Sequence, residues 1–202
     1  MAPKDSDLAR RRIEEESIRM TGLVDDMLTL ARLDAGRPMD SQPIDLGTIV
    51  LDAVADARVV APHRQITLSA PRTMIVPGDE MRLRQVVSNL MRNALVHTPP
   101  TSPVEVVLTS DDASARIRII DHGPGLPADA RQRIFEPFYR ADTNRSRDTG
   151  GVGLGLSIVR AIVAAHGGLV RVVGTDGGGA TFEVELPQGV LHAIGTIMST
   201  SA

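Results

Sequence analysis

The run Gly150-Gly-Val-Gly-Leu-Gly-Leu156 leads straight into Ser157-Ile-Val-Arg-Ala-Ile-Val-Ala-Ala-His166. Glycines at alternate positions, Gly151, Gly153 and Gly155, let main-chain amides approach a neighbour with no Cβ in the way. Leu156, Ile158, Val159, Ile162 and Val163 then repeat at helical spacing, so the loop opens directly into a buried helix. Unpaired N–H groups and the positive end of the helix dipole suit that junction to an anion such as phosphate. It is not a P-loop, because no Gly-Lys-Ser/Thr ends it and no strand-like run leads directly into it. Alone, it fits a tight turn beside a close-packed helix equally well.

The rest of the chain supplies the partners such a junction needs. Residues 7–35 read as one long helix with Leu8, Ile13, Met20, Leu23, Val24, Met27, Leu30 and Ala31 along one stripe. Its other face carries Arg10, Arg11, Arg12, Glu14, Glu15, Glu16, Asp25 and Asp26, a charge pattern that reads as solvated. Residues 38–43 read as a polar, proline-flanked linker, and 44–187 as the main domain. Within it, 46–60 and 79–96 have helical periodicity, and a short helix spans 128–134. Strands are expected at 65–69, 73–76, 104–109, 115–120, 169–173 and 180–186. Residues 188–202 show no pattern and read as a loose tail. Strand pairs joined by short turns, with a few long helices, imply an α+β two-layer sandwich. Its mostly antiparallel mixed sheet is covered on one face by helices.

Three further stretches carry chemistry. Asn89 and Asn93 are four residues apart on an otherwise apolar helix, so their carboxamides share a face. A structural hydrogen bond satisfies one such residue easily; two in register are better matched by an ordered ligand such as hydrated Mg²⁺ between phosphates. Asp121-His-Gly-Pro-Gly125 closes the apolar strand 117–120. It reads either as an Asp-anchored turn or as a carboxylate that accepts from an exocyclic amine, with Gly123 and Gly125 admitting a flat ring. Phe135-Glu-Pro-Phe-Tyr-Arg140 puts three aromatic residues into a six-residue stretch of a chain with only 2% aromatics. It reads either as a satellite core or as the hinge of a polar lid running through Asn144, Arg145, Ser146 and Arg147 to the glycines.

These stretches, Asn89-Leu-Met-Arg-Asn-Ala-Leu-Val-His-Thr98, Asp121–Gly125, Phe135–Tyr139 and Gly151–Gly155, resemble the N box, first glycine box, F box and second glycine box of bacterial sensor histidine kinases. They occur in the family's order and approximate spacing, across residues 43–186. The resemblance implies the Bergerat-type fold of the GHKL ATPases, with ATP and Mg²⁺ between helices and sheet. Asn93, helped by Asn89, would hold Mg²⁺, and Asp121 would bind the adenine amino group. His97 would lie beside the nucleoside, with Gly123 and Gly125 near the ring. Arg140 and the backbone of Gly151, Gly153, Leu154 and Gly155 would meet the phosphates. One departure is Val96, where many relatives carry a Lys or Arg; Arg92 or a lid arginine is the expected substitute. Hydrolysing relatives, such as heat-shock chaperones and gyrase, have a glutamate where this chain has Asn89, so slow hydrolysis is expected.

Residues 1–37 resemble the second helix of the kinase dimerisation hairpin. None of His63, His97, His122, His166 and His192 has an acceptor context. The expectation is therefore a truncated or split kinase whose phosphoacceptor histidine acts in trans, with a response regulator downstream and a homodimer possible through the first helix. Two alternatives stay open: an interaction module with a degenerate nucleotide pocket, and an anti-sigma-type serine kinase of the same fold. Composition narrows the rest. A net charge of −3 offers no global attraction to nucleic acid, and the absence of cysteine excludes disulfides and thiol chemistry. No apolar run approaches the ~18 residues of a membrane span, so a cytoplasmic chain without membrane contact is expected.

Overall fold

A computed structural model describes residues 3–35, 40–140 and 152–188. The first helix, α1 (Pro3–Asp34), starts a few residues earlier than the apolar stripe suggests and ends with Arg32 in its last turn, where a cation complements the helix dipole. The apolar residues of this helix, the stripe together with Leu28 and Leu33, divide between two sides. Leu23, Leu30 and Leu33 pack on the core, while Ile13, Met20, Val24, Met27 and Leu28 are exposed.

Strand β1 (Gln42–Asp45) follows, and it corrects the expected 38–43 linker, whose last two residues belong to this strand. It pairs antiparallel with β3 (Ile75–Gly78) in a two-stranded ribbon. Both strands of such a ribbon are edges, so Pro43 is tolerated there. Asp45 then organises the neighbourhood. Its Oδ1 accepts from the N–H groups of Gly47 and Met74, both at 2.9 Å, which caps α2 (Leu46–Val60) and ties it to the ribbon.

The main sheet has the order β2-β4-β5-β7-β6, formed by β2 (Ile66–Ser69), β4 (Val104–Ser110), β5 (Ser114–Asp121), β6 (Leu169–Gly174) and β7 (Ala180–Pro187). Only the β2–β4 pairing is parallel; the other three are antiparallel. The alternation expected of a half-buried sheet holds: Val104, Val106, Leu108, Ile117, Ile119, Phe182 and Val184 point into the core. The opposite face carries charge. Arg116 pairs with Glu185 at 3.4 Å, and Arg171 with Glu183 at 2.8 Å.

Helices α2, α3 (Glu80–His97) and α5 (Gly155–Ala165) cover the apolar face, with the short α4 (Ala128–Arg133) at the edge. Asp79 caps α3 by accepting from the Arg82 N–H at 3.1 Å. α1 lies across α5, and Arg82 Nη1 donates to the buried Thr29 hydroxyl at 3.2 Å, fixing α1 to α3 as well. His166, at the end of α5, donates from Nδ1 to the Ile162 carbonyl at 2.8 Å and accepts the Asp79 N–H on Nε2 at 3.1 Å. The α3 N-terminus and the α5 C-terminus are thereby joined. Gln188, expected in a loose tail, is buried and extends the sheet contact through its N–H to the Ala113 carbonyl at 3.0 Å. No helix among the described residues is long and apolar enough to cross a membrane.

Candidate functional site

A cavity of ≈ 560 Å³ opens between α3, the end of β5 and the start of α5. One wall is the exposed face of α3: Asn89, Arg92, Asn93, Val96, His97 and Thr98. Helical spacing places Asn89, Asn93 and His97 in one row, with Arg92 and Val96 beside them. Asn89 Nδ2 donates to the Gly155 carbonyl at 3.3 Å, so its carboxamide bridges α3 to α5 and keeps its oxygen for the cavity.

Asp121 forms the deep end. It is 4% exposed, and its Oδ1 accepts from the Gly123 N–H at 3.0 Å and the Ala180 N–H at 3.2 Å. Both bonds land on one oxygen, so the other keeps its lone pairs for a ligand. Gly125 and Leu126 line the cavity, with Ala180 and Phe182 at its floor. A flat, partly apolar space ending in a fixed carboxylate oxygen suits a heterocycle with an exocyclic amine.

The far end is the N-terminus of α5. Leu154, at its N-cap position, makes no side-chain capping bond, and the first turn holds no acidic residue. Its open N–H groups face the cavity beside Val152, Gly153 and Leu154. Gly153 has φ +84°, and a Cβ there would stand 3.1 Å from the main chain of Phe138. That closeness is the join between the two motifs: the Phe138 N–H donates to the Gly153 carbonyl at 3.0 Å. Phe138 itself adopts φ 64°, a left-handed conformation that is strained for an aromatic residue. Of the three aromatics, Phe135 is buried in the main core, Phe138 is exposed, and Tyr139 lines the cavity with Arg133 over its ring at 4.5 Å.

α1 roofs the cavity with Gly22, Leu23 and Asp26. Burial pushes the Asp26 carboxyl above its ordinary range, an effect partly offset by the Arg92 guanidinium facing it. A carboxylate and an arginine thus oppose each other across the rim.

Residues 78–190 match the profile of the family described as "Histidine kinase-, DNA gyrase B-, and HSP90-like ATPase". The chain belongs to this ATPase family. It is 45% identical over 180 residues to "Probable sensor histidine kinase TcrY" of Mycobacterium tuberculosis, covering 89% of this chain and 38% of that protein. Among solved structures, the mycobacterial sensor histidine kinase MprB aligns with a TM-score of 0.65 at 30% identity, over 73% of this chain and 97% of that one. Full-length ShkA in complex with AMPPNP aligns with a TM-score of 0.73 at 32% identity, over 93% of this chain and 39% of that one. The chain therefore spans about two fifths of the curated relative and of the longer structure.

The structure brings most of the residues named from the sequence to one place. Asn89, Asn93, His97, Asp121, Gly125, Arg140, Gly153, Leu154 and Gly155 all line the one cavity. Gly123 lies behind Asp121, spending its N–H on the carboxylate. Gly151 and the expected lid, residues 141–151, lie outside the described residues. Sequence reasoning did not single out Thr98, the Ala180 amide or the α1 roof. The Ala180 contact is main-chain and leaves no side-chain signal. Thr98 sits four residues after Ala94, whose carbonyl it takes at 2.6 Å. Its place at the helix end was the available clue.

Proposed function

We propose that residues 44–187 bind Mg-ATP and pass its γ-phosphate to a histidine on a separate helix. This would make the chain the catalytic part of a two-component sensor kinase that feeds a response regulator. The observation that carries this reading is one cavity holding three unlike ends: a buried carboxylate, a pair of carboxamides and an uncapped helix N-terminus. An adenine amine, a metal-bound triphosphate and phosphate oxygens need these in that combination.

The donor set fits Mg²⁺. Asn89 and Asn93 offer neutral oxygens, and no cluster of three or more His, Cys, Asp or Glu stands among the described residues. Mg²⁺ accepts few protein ligands and keeps water and phosphate oxygens for the rest. When bound, it neutralises phosphate charge. The chain's own residues do the rest. Asp121 accepts from the adenine amine, and Gly125 and Leu126 take the ring. The α5 N–H groups, joined by Arg92 in place of the apolar Val96, hold phosphate. Phosphoryl transfer is largely positioning and charge stabilisation, so no nucleophile is needed on this chain. Asn89 offers no carboxylate to activate water, which favours transfer over hydrolysis.

The acceptor belongs elsewhere on this reading. His166 is spent between α3 and α5, and His122 contacts Glu105 at 2.7 Å. His97 lines the nucleotide cavity itself. Residues 1–37 would serve as half of a dimerisation hairpin, since α1 exposes Ile13, Met20, Val24, Met27 and Leu28. A cytoplasmic setting follows from the need for ATP. Calorimetry of the purified chain with ATP, with and without Mg²⁺, tests the reading. Saturable binding strengthened by Mg²⁺ is expected; no binding would transfer the case to an interaction module.

A further inference from the structure

The C-terminal end of α3 is closed from outside the cavity by a residue no motif contains. Arg64 lies in the turn between α2 and β2 and is 8% exposed. It makes no ion pair among the described residues. Instead its fork is spent on oxygens. Nε donates to the Ser102 carbonyl at 2.9 Å, Nη1 to the Leu95 carbonyl at 3.1 Å, and Nη2 to the Ala94 carbonyl at 3.2 Å. Nη2 also donates to the Thr98 hydroxyl.

Two of those carbonyls belong to the last turn of α3, which lacks helical partners of its own. The cation also sits at the negative end of the helix dipole. Burying a guanidinium is costly, and this one is offset by four converging oxygens together with the attraction of the nearby Asp121 carboxylate. Three of those oxygens, on Ala94, Leu95 and Thr98, belong to the turn that presents Asn93, His97 and Thr98 to the cavity.

The contact continues to the carboxylate. Thr98 packs against Gly123 so closely that a Cβ on Gly123 would strike its side chain. The Gly123 N–H in turn holds Asp121 Oδ1. Arg64 therefore fixes Thr98, Thr98 fixes the position of Gly123, and Gly123 aims Asp121.

We infer that Arg64 is a positioning residue for the nucleotide site, locking the end of α3 and, through Thr98 and Gly123, the direction of the Asp121 carboxylate. This rests on the ATP-binding reading above. Lysine cannot replace the fork fully, because one ammonium reaches fewer of the four oxygens.

The test compares Arg64→Met, Arg64→Lys and Thr98→Val with the wild-type chain. Mg-ATP and Mg-ADP binding is measured by calorimetry well below each melting temperature. A ~1 Å misplacement of a positioned group can cost about 100-fold, so the smaller misaim expected in Arg64→Met and Thr98→Val should weaken ATP and ADP by roughly tenfold each, equally. Arg64→Lys should recover part of the loss. The gain in affinity on adding Mg²⁺ should survive in all three, whereas Asn93→Ala should abolish it. Lower melting temperatures with wild-type affinities would overturn the inference and leave Arg64 a structural cap. If Arg64→Met fails to fold, wild-type affinity in both Arg64→Lys and Thr98→Val overturns it equally. A wild-type chain that binds no nucleotide removes the functional reading itself, and the inference with it.

Discussion

Replacing Asp121 with asparagine isolates the contact proposed to select the base. Oδ1 already accepts two main-chain N–H groups, from Gly123 at 3.0 Å and Ala180 at 3.2 Å. An asparagine of the same shape keeps its carbonyl oxygen between those donors, because reversing it would set its amino group against two N–H groups. The amino group must then face the cavity, where it meets the adenine amine donor to donor. The variant loses a charge-assisted hydrogen bond, worth about 1.5–3 kcal/mol, from a residue only 4% exposed to solvent. At ~1.4 kcal/mol per decade, Mg-ATP affinity should fall roughly 10- to 150-fold. Discrimination should also change. Guanine presents a carbonyl where adenine presents its amine, so the ratio of ATP to GTP affinity should collapse toward one in the variant. Calorimetry with both nucleotides reads both effects, and circular dichroism confirms that the sheet is intact. A loss under about threefold, with the ATP preference retained and the fold intact, would refute the assignment of Asp121 to the base.

Other perturbations test other parts of the site. Gly153→Ala forces a left-handed φ on alanine and sets its Cβ 3.1 Å from the Phe138 main chain. The cost should be about 1–3 kcal/mol, seen as a lower melting temperature and weaker Mg-ATP binding; an unchanged melt would contradict the strained join. Asn89→Glu supplies a water-activating carboxylate, so steady-state phosphate release should rise above the wild-type rate. Rapid hydrolysis by wild type with no gain in the variant would sink that argument. Burial raises the Asp26 carboxyl despite Arg92, so the folded chain binds this proton more readily than the unfolded chain. Its ionised form therefore weighs against folding at neutral pH, and that penalty disappears as the pH falls through the carboxylate range. Asp26→Asn should raise the melting temperature at neutral pH, with the gain vanishing in acid; a gain independent of pH would contradict this.

How much of this was legible in the sequence varies with the kind of signal. α2 was readable end to end, because its apolar period runs unbroken from Leu46 to Val60. The β4–β5 hairpin was readable from alternation around Asp111 and Asp112, and Asp111 Oδ1 accepts from both the Ala113 and Ser114 N–H groups. β1 was not, since Gln42 and Pro43 carry no strand propensity and the ribbon is set by Asp45 bridging to Met74. The stripe on α1 gave a helix but not its orientation: which of its apolar residues faces the core depends on docking against α5 and Arg82. Asn89, Asn93 and Asp121 were legible as candidates because their side chains offer carboxamide and carboxylate chemistry, and all three line the cavity. Arg64 was not, because a lone arginine beside His63 reads as a solvated charge until four oxygens are seen around it. The join of Phe138 to Gly153 is main-chain on both sides, and no side-chain pattern announces it.

The central claim is transfer to a histidine outside this chain, and γ-labelled Mg-ATP tests it most directly. The purified chain would be incubated with the labelled nucleotide, alone and with a two-helix hairpin carrying an acceptor histidine followed by an acidic residue. The account predicts no label on this chain in either mixture, and an acid-labile, alkali-stable label on the hairpin. Such a label on this chain alone would mean that one of its own histidines is the acceptor, contradicting the claim.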